Sequence, residues 1–183
     1  MRNACSRTLM LALAWLGAAC CTHAAHAQAL EFAVKATFLH KFAGFVEWPE
    51  AAFESTRSPL TLCIAGSDPV SKLIDQAAEG QAYGTHPFEV RHIAQPSAVG
   101  TCHMLYVAGL PADTIDAYLQ AARGKPILTV TDGGTTRRTQ GVINFVLREN
   151  RVRFEIDLDL AATQRIAVSS KLSSLAVASR GAP

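Results

Sequence analysis

The sequence predicts an α/β fold: one domain with a mostly parallel sheet flanked by helices and an antiparallel C-terminal hairpin. Three observations predict it. Short apolar runs alternate with amphipathic helical patterns through residue 131, the order expected of strand-helix-strand units lying side by side. Two further runs, residues 141–147 and 151–157, are joined only by Arg148-Glu149-Asn150. In the second of them Val152, Phe154 and Ile156 alternate with Arg151, Arg153, Glu155 and Asp157, the period-2 pattern of a strand with one wet face. A connection that short, containing Asn, predicts a hairpin. No internal repeat, low-complexity tract or linker divides the chain.

The first segment reads as an export signal. Arg2 and Arg7 precede an apolar run from Leu9 to Cys21, too short to span a bilayer comfortably, and Ala25-His26-Ala27 offers a small-x-small cleavage site. Cleavage is expected after Ala27 or after Ala29, which leaves residues 28–183 as one exported domain. The 17 basic residues of the whole chain then fall level with its 15 acidic ones, so no electrostatic field for nucleic acid is implied. Cys5, Cys20 and Cys21 leave with the signal, and Cys63 and Cys102 remain. An even pair in an exported protein reads as a disulfide. A redox-active dithiol is the competing reading, but such pairs usually lie close in sequence at a helix start, and these lie far apart. A bridge between neighbouring strands would close a loop of about 40 residues, a constraint of about 4 kcal/mol in the chain-entropy model.

Leu30 to Val46 carries the longest helical pattern, with Leu30, Val34, Phe38 and Phe45 on one stripe, Leu39 and Phe42 widening it, and Lys35, His40 and Lys41 opposite. Trp48-Pro49 ends it. These aromatics read as a core helix lying across the sheet, or as the wall of a small-ligand pocket lined by Phe42, Phe45 and Trp48. Pro59 to Ala65 is the first strand, and Gly66-Ser67-Asp68-Pro69 is a turn capping a helix that starts near Val70. Gly80 to Pro87 reads as a loop. Phe88 to Ile93 is a second strand, partly wet at Glu89 and Arg91, and the nearly all-apolar His103 to Ala108 is a central third. A helix from Ala112 to Ala122 ends at Gly124, and Pro126 to Thr131 is the next strand. After the hairpin, Ala161 to Ile166 predicts a short helical turn and Val168 a short strand. Ser169 or Ser170 then caps a final helix that buries Leu172, Leu175 and Ala176.

Candidate chemistry is sparse. Asp132-Gly133-Gly134-Thr135-Thr136-Arg137-Arg138 follows a parallel strand, where open α/β sheets place ligands, and its arginines and amides suit a phosphate or a carboxylate. It lacks both the Walker spacing and the dinucleotide fingerprint, so a solvated turn and a partner-binding loop stand beside that reading. His40, His86, His92 and His103 are scattered, with no metal-ligand spacing, and no metal or cofactor is expected. There is no Gly-x-Ser-x-Gly elbow and no cysteine outside the expected bridge. Nothing here gives a positive reason for catalysis.

Seven blocks of the chain, in order, resemble the YfiR family of periplasmic proteins. They are Val34-Lys35-Ala36-Thr37-Phe38-Leu39 with Phe45-Val46-Glu47-Trp48-Pro49; Leu62-Cys63-Ile64 with Gly66 and Asp68-Pro69; Cys102 to Val107; Ile127 to Asp132; Gly141 to Val146; Arg151 to Ile156; and Ser169-Ser170-Lys171-Leu172. The resemblance implies a periplasmic regulator rather than an enzyme. It would bind the periplasmic sensor region of an inner-membrane diguanylate cyclase, repress it, and so lower cyclic di-GMP and biofilm formation. It further implies an outer-membrane lipoprotein that draws the repressor away, a homodimer, and a structural disulfide at Cys63 and Cys102. The chain departs from the family after Asp132, where Thr135-Thr136-Arg137-Arg138 stands in place of a Gly-Phe and a second Gly-Gly. Arg137 and Arg138 in that loop, with Arg151, Arg153 and Glu155 on the wet hairpin face, are the candidate partner contacts.

Overall fold

The computed structural model describes residues 28–66, 69–134 and 136–181. The export signal, the Ser67-Asp68 cap and Thr135 therefore lie outside the described residues. Helix α1 covers residues 28–42 and is followed by a 3-10 turn, Ala43–Phe45, and a two-residue strand β1, Val46–Glu47. The helix stops four residues before the periodicity suggests, because the β-branched Val46 is paired with Val168 of β9 (Ala167–Val168) in a small antiparallel ladder. The main sheet comprises β2 (Leu60–Ala65), β3 (Ala82–Tyr83), β4 (His86–Ile93), β5 (Met104–Val107), β6 (Leu128–Asp132), β7 (Ile143–Arg148), β8 (Arg151–Asp157) and β10 (Ala178–Arg180). Their order is β10-β8-β7-β6-β5-β2-β4-β3, parallel throughout except at β7-β8 and β4-β3. The predicted mostly parallel α/β domain with an antiparallel hairpin is the observed one.

Helices cover both faces. On one, α1 and α2 (Pro69–Ala78) lie over Leu62, Ile64, Leu128, Val130, Ile143, Phe145, Phe154 and Ile156, a continuous apolar layer. Phe42 is 1% exposed and packs on Phe38, Phe145 and Phe154 with ring centroids 5.8, 5.7 and 5.3 Å away. On the other face, α3 (Ala112–Ala122) and a 3-10 helix at Pro96–Thr101 enclose Cys63, Ala65, Leu105, Val107, Tyr118 and Ile127. The disulfide Cys63–Cys102 runs through this second layer with Cα atoms 5.7 Å apart, tying β2 to the residue that leads towards β5. β5, expected to be central, is flanked by β2 and β6 and buried along its length.

Several elements differ from the sequence reading. The predicted loop Gly80 to Pro87 contains β3 and the start of β4. The short helix after the hairpin is α4 (Leu158–Thr163), three residues early, because Asp157 Oδ1 accepts the Leu160 amide at 2.9 Å and so fixes its start. α5 (Ser170–Ser173) is capped by Ser169 as expected, but Leu175 lies 59% exposed instead of in the core, since the helix ends before reaching it. β10 has no counterpart in the sequence reading. It pairs parallel to β8 from Glu155 onward and forms one edge of the sheet. Among the described residues no helix is long and apolar enough to cross a membrane.

Candidate functional site

The loop that leaves β6 is held at both ends. At its start Asp132 Oδ2 accepts from Lys35 Nζ at 2.6 Å, and Glu31, one turn earlier on α1, accepts from the same ammonium at 2.5 Å. Lys35 was expected on the wet side of the helix. It is instead 4% exposed, because α1 lies over the sheet end and the two carboxylates replace its water. Burial alone would lower the Lys35 pKa, but the hydrogen bonds to Asp132 and Glu31 and their charge outweigh it and raise it.

The loop then doubles back across the sheet to start β7 parallel to β6, without a crossover helix. Strand side chains replace the missing helix. Asn144 Oδ1 accepts from Thr131 Oγ1 at 2.9 Å and from the Gly134 amide at 3.1 Å. Thr131 and Thr129 hydroxyls accept the Gly141 and Val142 amides, each at 3.0 Å. This close seating requires glycine: a Cβ at Gly141 would stand 2.6 Å from the Thr129 carbonyl oxygen, and one at Gly134 2.4 Å from that of Thr139. A 3-10 turn, Arg137–Thr139, is boxed by Thr136 and Thr139. Arg138 reaches Asp116 on α3 at 2.8 Å and Asp113 at 3.7 Å, and its hydrogen bond holds the Asp116 carboxyl below its ordinary pKa. Arg137 is exposed and makes no ion pair among the described residues.

The wet hairpin face is a second surface. The turn between β7 and β8 puts Glu149 and Asn150 at φ 51° and 57°, positive at both central positions as a type I′ turn demands. Glu155 accepts from Arg148 at 3.2 Å, and Arg153 donates to the Val152 carbonyl at 3.2 Å. Because β10 begins opposite Glu155, the outer edge of β8 at Arg151, Val152 and Arg153 carries no strand among the described residues. Between this open edge and the first turns of α1 runs a groove of about 600 Å³, lined by Leu30, Val34, Phe38, Leu147, Arg151 and Arg153. Leu30 is 66% exposed and Leu147 52% exposed. Leu30 was read on the dry stripe of the helix, but the start of that stripe stands in water; Leu147 lies within β7, paired with Val152 next to the hairpin turn.

Arg151 and Arg153 are thus brought together at the groove, whereas Arg137 and Arg138 line a separate cavity against α3 and α4. Glu155 lines a shallower hollow with Gln140 and Asp157. The pocket wall expected at Phe42, Phe45 and Trp48 is packing instead. Phe42 is core, Phe45 and Trp48 pack against that core, and Trp48 donates its Nε1 to the His103 carbonyl at 3.1 Å while meeting Tyr83 edge-on.

Of the histidines, His103 accepts the Thr61 amide on Nδ1 at 3.1 Å and donates from Nε2 to the Ala52 carbonyl at 3.0 Å, which fixes a neutral tautomer. Phe53 is stacked between its ring and that of His86, at 4.4 and 3.9 Å. Burial lowers the His103 pKa. No group of three or more His, Cys, Asp or Glu side chains suited to a metal occurs among the described residues.

The family model described as YfiR/HmsC-like matches residues 32–177, from the first turns of α1 to the residue before β10. The chain belongs to the YfiR/HmsC-like family. Its match therefore takes in Lys35, both cysteines, the loop after Asp132 and the hairpin. The YfiR/HmsC-like assignment indicates a periplasmic regulatory setting in cyclic di-GMP signalling, with a signalling protein as partner. No curated protein matches the sequence closely enough to count as a relative.

Proposed function

We propose that this YfiR/HmsC-like protein is a periplasmic repressor that docks on the periplasmic sensor region of an inner-membrane diguanylate cyclase and holds it inactive, lowering cyclic di-GMP and biofilm formation. Family membership supports the class of partner. The observation that carries the docking site is the groove beside the open edge of β8, where two leucines stand in water next to Arg151 and Arg153. An unpaired strand edge offers backbone donors and acceptors to a chain lying alongside. The occupant we assign is an extended segment of the cyclase, apolar where it meets Leu30 and Leu147 and acidic where it meets the two arginines. An outer-membrane lipoprotein that relieves repression would compete for the same groove.

The test is affinity capture of oxidised residues 28–183 from solubilised envelope, beside the Leu147→Ser, Arg151→Glu variant. Recovery of an inner-membrane diguanylate cyclase by the parent, reduced about tenfold or more in the variant, is expected, since a buried anchor and a reversed charge each remove more than about 1 kcal/mol. Equal recovery by both proteins would move the docking site elsewhere. Capture of no cyclase, with cellular cyclic di-GMP unchanged when the protein is deleted, would overturn the repressor reading.

A further inference from the structure

A cavity of about 330 Å³ lies between the C-terminal end of α3, the loop after β6 and helix α4. Four guanidiniums line it, Arg123, Arg137, Arg138 and Arg180, against two carboxylates, Asp157 and Asp159. Their pairings are unequal. Arg138 is engaged by Asp116, and Arg180 meets Asp157 at 3.1 Å, the same carboxylate that caps α4. Among the described residues Arg123 and Arg137 make no ion pair, and they come from two different places, the C-cap of α3 and the 3-10 turn of the returning loop. Arg123 acts on Asp116 only through its charge, and the lining carries more guanidiniums than carboxylates, four against two.

The cavity also contains an unmet acceptor. Gln164 lines it, is 1% exposed, and its Oε1 takes no hydrogen bond. A buried amide oxygen without a donor is a standing cost to the fold, and such atoms are seldom left so unless something else supplies the proton. Gln164 is the C-cap of α4, its amide donating to the Leu160 carbonyl at 3.0 Å, which anchors its backbone beside the cavity.

From this juxtaposition we propose that the cavity binds a small hydroxylated organic acid, its carboxylate held by Arg123 and Arg137 and its hydroxyl donating to Gln164 Oε1. Planar guanidiniums favour a carboxylate by paired hydrogen bonds. The hydroxyl supplies the one donor that the buried amide lacks. A cavity near 330 Å³ is at the small end of ligand sites, which fits a metabolite of a few carbons. The groove assigned to the partner uses none of these residues, so either reading can fail without the other.

The experiment is calorimetric titration of the oxidised protein, residues 28–183, with malate and with succinate, which differ by one hydroxyl. Malate is expected to bind saturably and at least about tenfold more tightly than succinate, because a site that hydrogen-bonds a hydroxyl is left with an unpaired group when it is missing. Arg123→Ala with Arg137→Ala should remove malate binding without changing the thermal midpoint of the ligand-free protein. Gln164→Met should bring malate and succinate to similar affinity. No saturable malate binding by about 10 mM, a weak regime for a built site of this size, would overturn the proposal. So would equal affinity for the two acids in the parent protein, or binding indifferent to the arginine substitutions.

Discussion

Lys35 shows how a single residue decides where the N-terminal helix sits. Its ammonium is enclosed with two carboxylates, one a turn away and one 97 residues away on the end of β6. The helical stripe in the sequence puts Lys35 on the wet face, and local spacing contains no signal to the contrary, since the deciding partner is distant. Asp132→Asn removes half of its compensation. Glu31 remains, so the loss is expected at about 2 kcal/mol, below the figure for a fully stripped buried pair, and read by urea denaturation at neutral pH. The raised Lys35 pKa makes this contribution fully present below the unfolded value of 10.5 and lost only as pH climbs through the folded one.

His103 works in the opposite direction. Its folded pKa is depressed by burial, so the unfolded chain takes up the proton first, and the stability tied to the neutral ring is present above 6.5 and lost as pH falls from there towards the folded value. The Nδ1 that would be protonated already accepts the Thr61 amide. The urea midpoint should therefore drop between pH 7 and pH 5, and by less in His103→Gln. An equal drop in both proteins would remove the histidine as the cause.

Among the elements, those with a period were readable. β2, β4, β5, β6, the hairpin, α2 and α3 each carry enough alternating or helical spacing to declare themselves. β1, β3 and β10 have two or three residues each, too few for any period, and exist because a neighbouring strand offers an edge, while β9, equally short, was expected at Val168. The loop after Asp132 was legible as glycine-rich and basic, yet not as a parallel return, because its support comes from Thr129, Thr131 and Asn144, which read as ordinary strand residues. Likewise the arginines at 151 and 153 were visible in the sequence, whereas the groove beside them depends on where β10 begins. The hairpin turn itself carries a correctable penalty. Glu149 and Asn150 both hold positive φ, a conformation that disfavours side-chain-bearing residues by about 1–2 kcal/mol. Replacing them with Asn-Gly, the pair that suits a type I′ turn, should raise unfolding free energy by about 1 kcal/mol, and it takes the Asn150 side chain out of the groove lining.

At the scale of the whole molecule, the first and last parts of the described residues interlock. α1 packs its aromatic face on β7 and β8, Lys35 reaches β6, and β1 pairs with β9, so α1 and β1 find these partners in the last third of the chain. The sheet order was only partly legible for this reason: alternation predicts parallel neighbours, but not that the opening helix waits for the closing strands.

That interlocking bears on how the chain comes to fold. An N-terminal half alone lacks Phe145 and Phe154, the rings that Phe38 and Phe42 meet, and contacts between segments so far apart in sequence form late and slowly. The helix remains unseated until β8 and β9 have emerged, which delays completion until most of the polypeptide has been delivered. Until then the aromatic face of α1 lacks its cover, and exposed apolar surface of that kind is where incompletely folded chains associate.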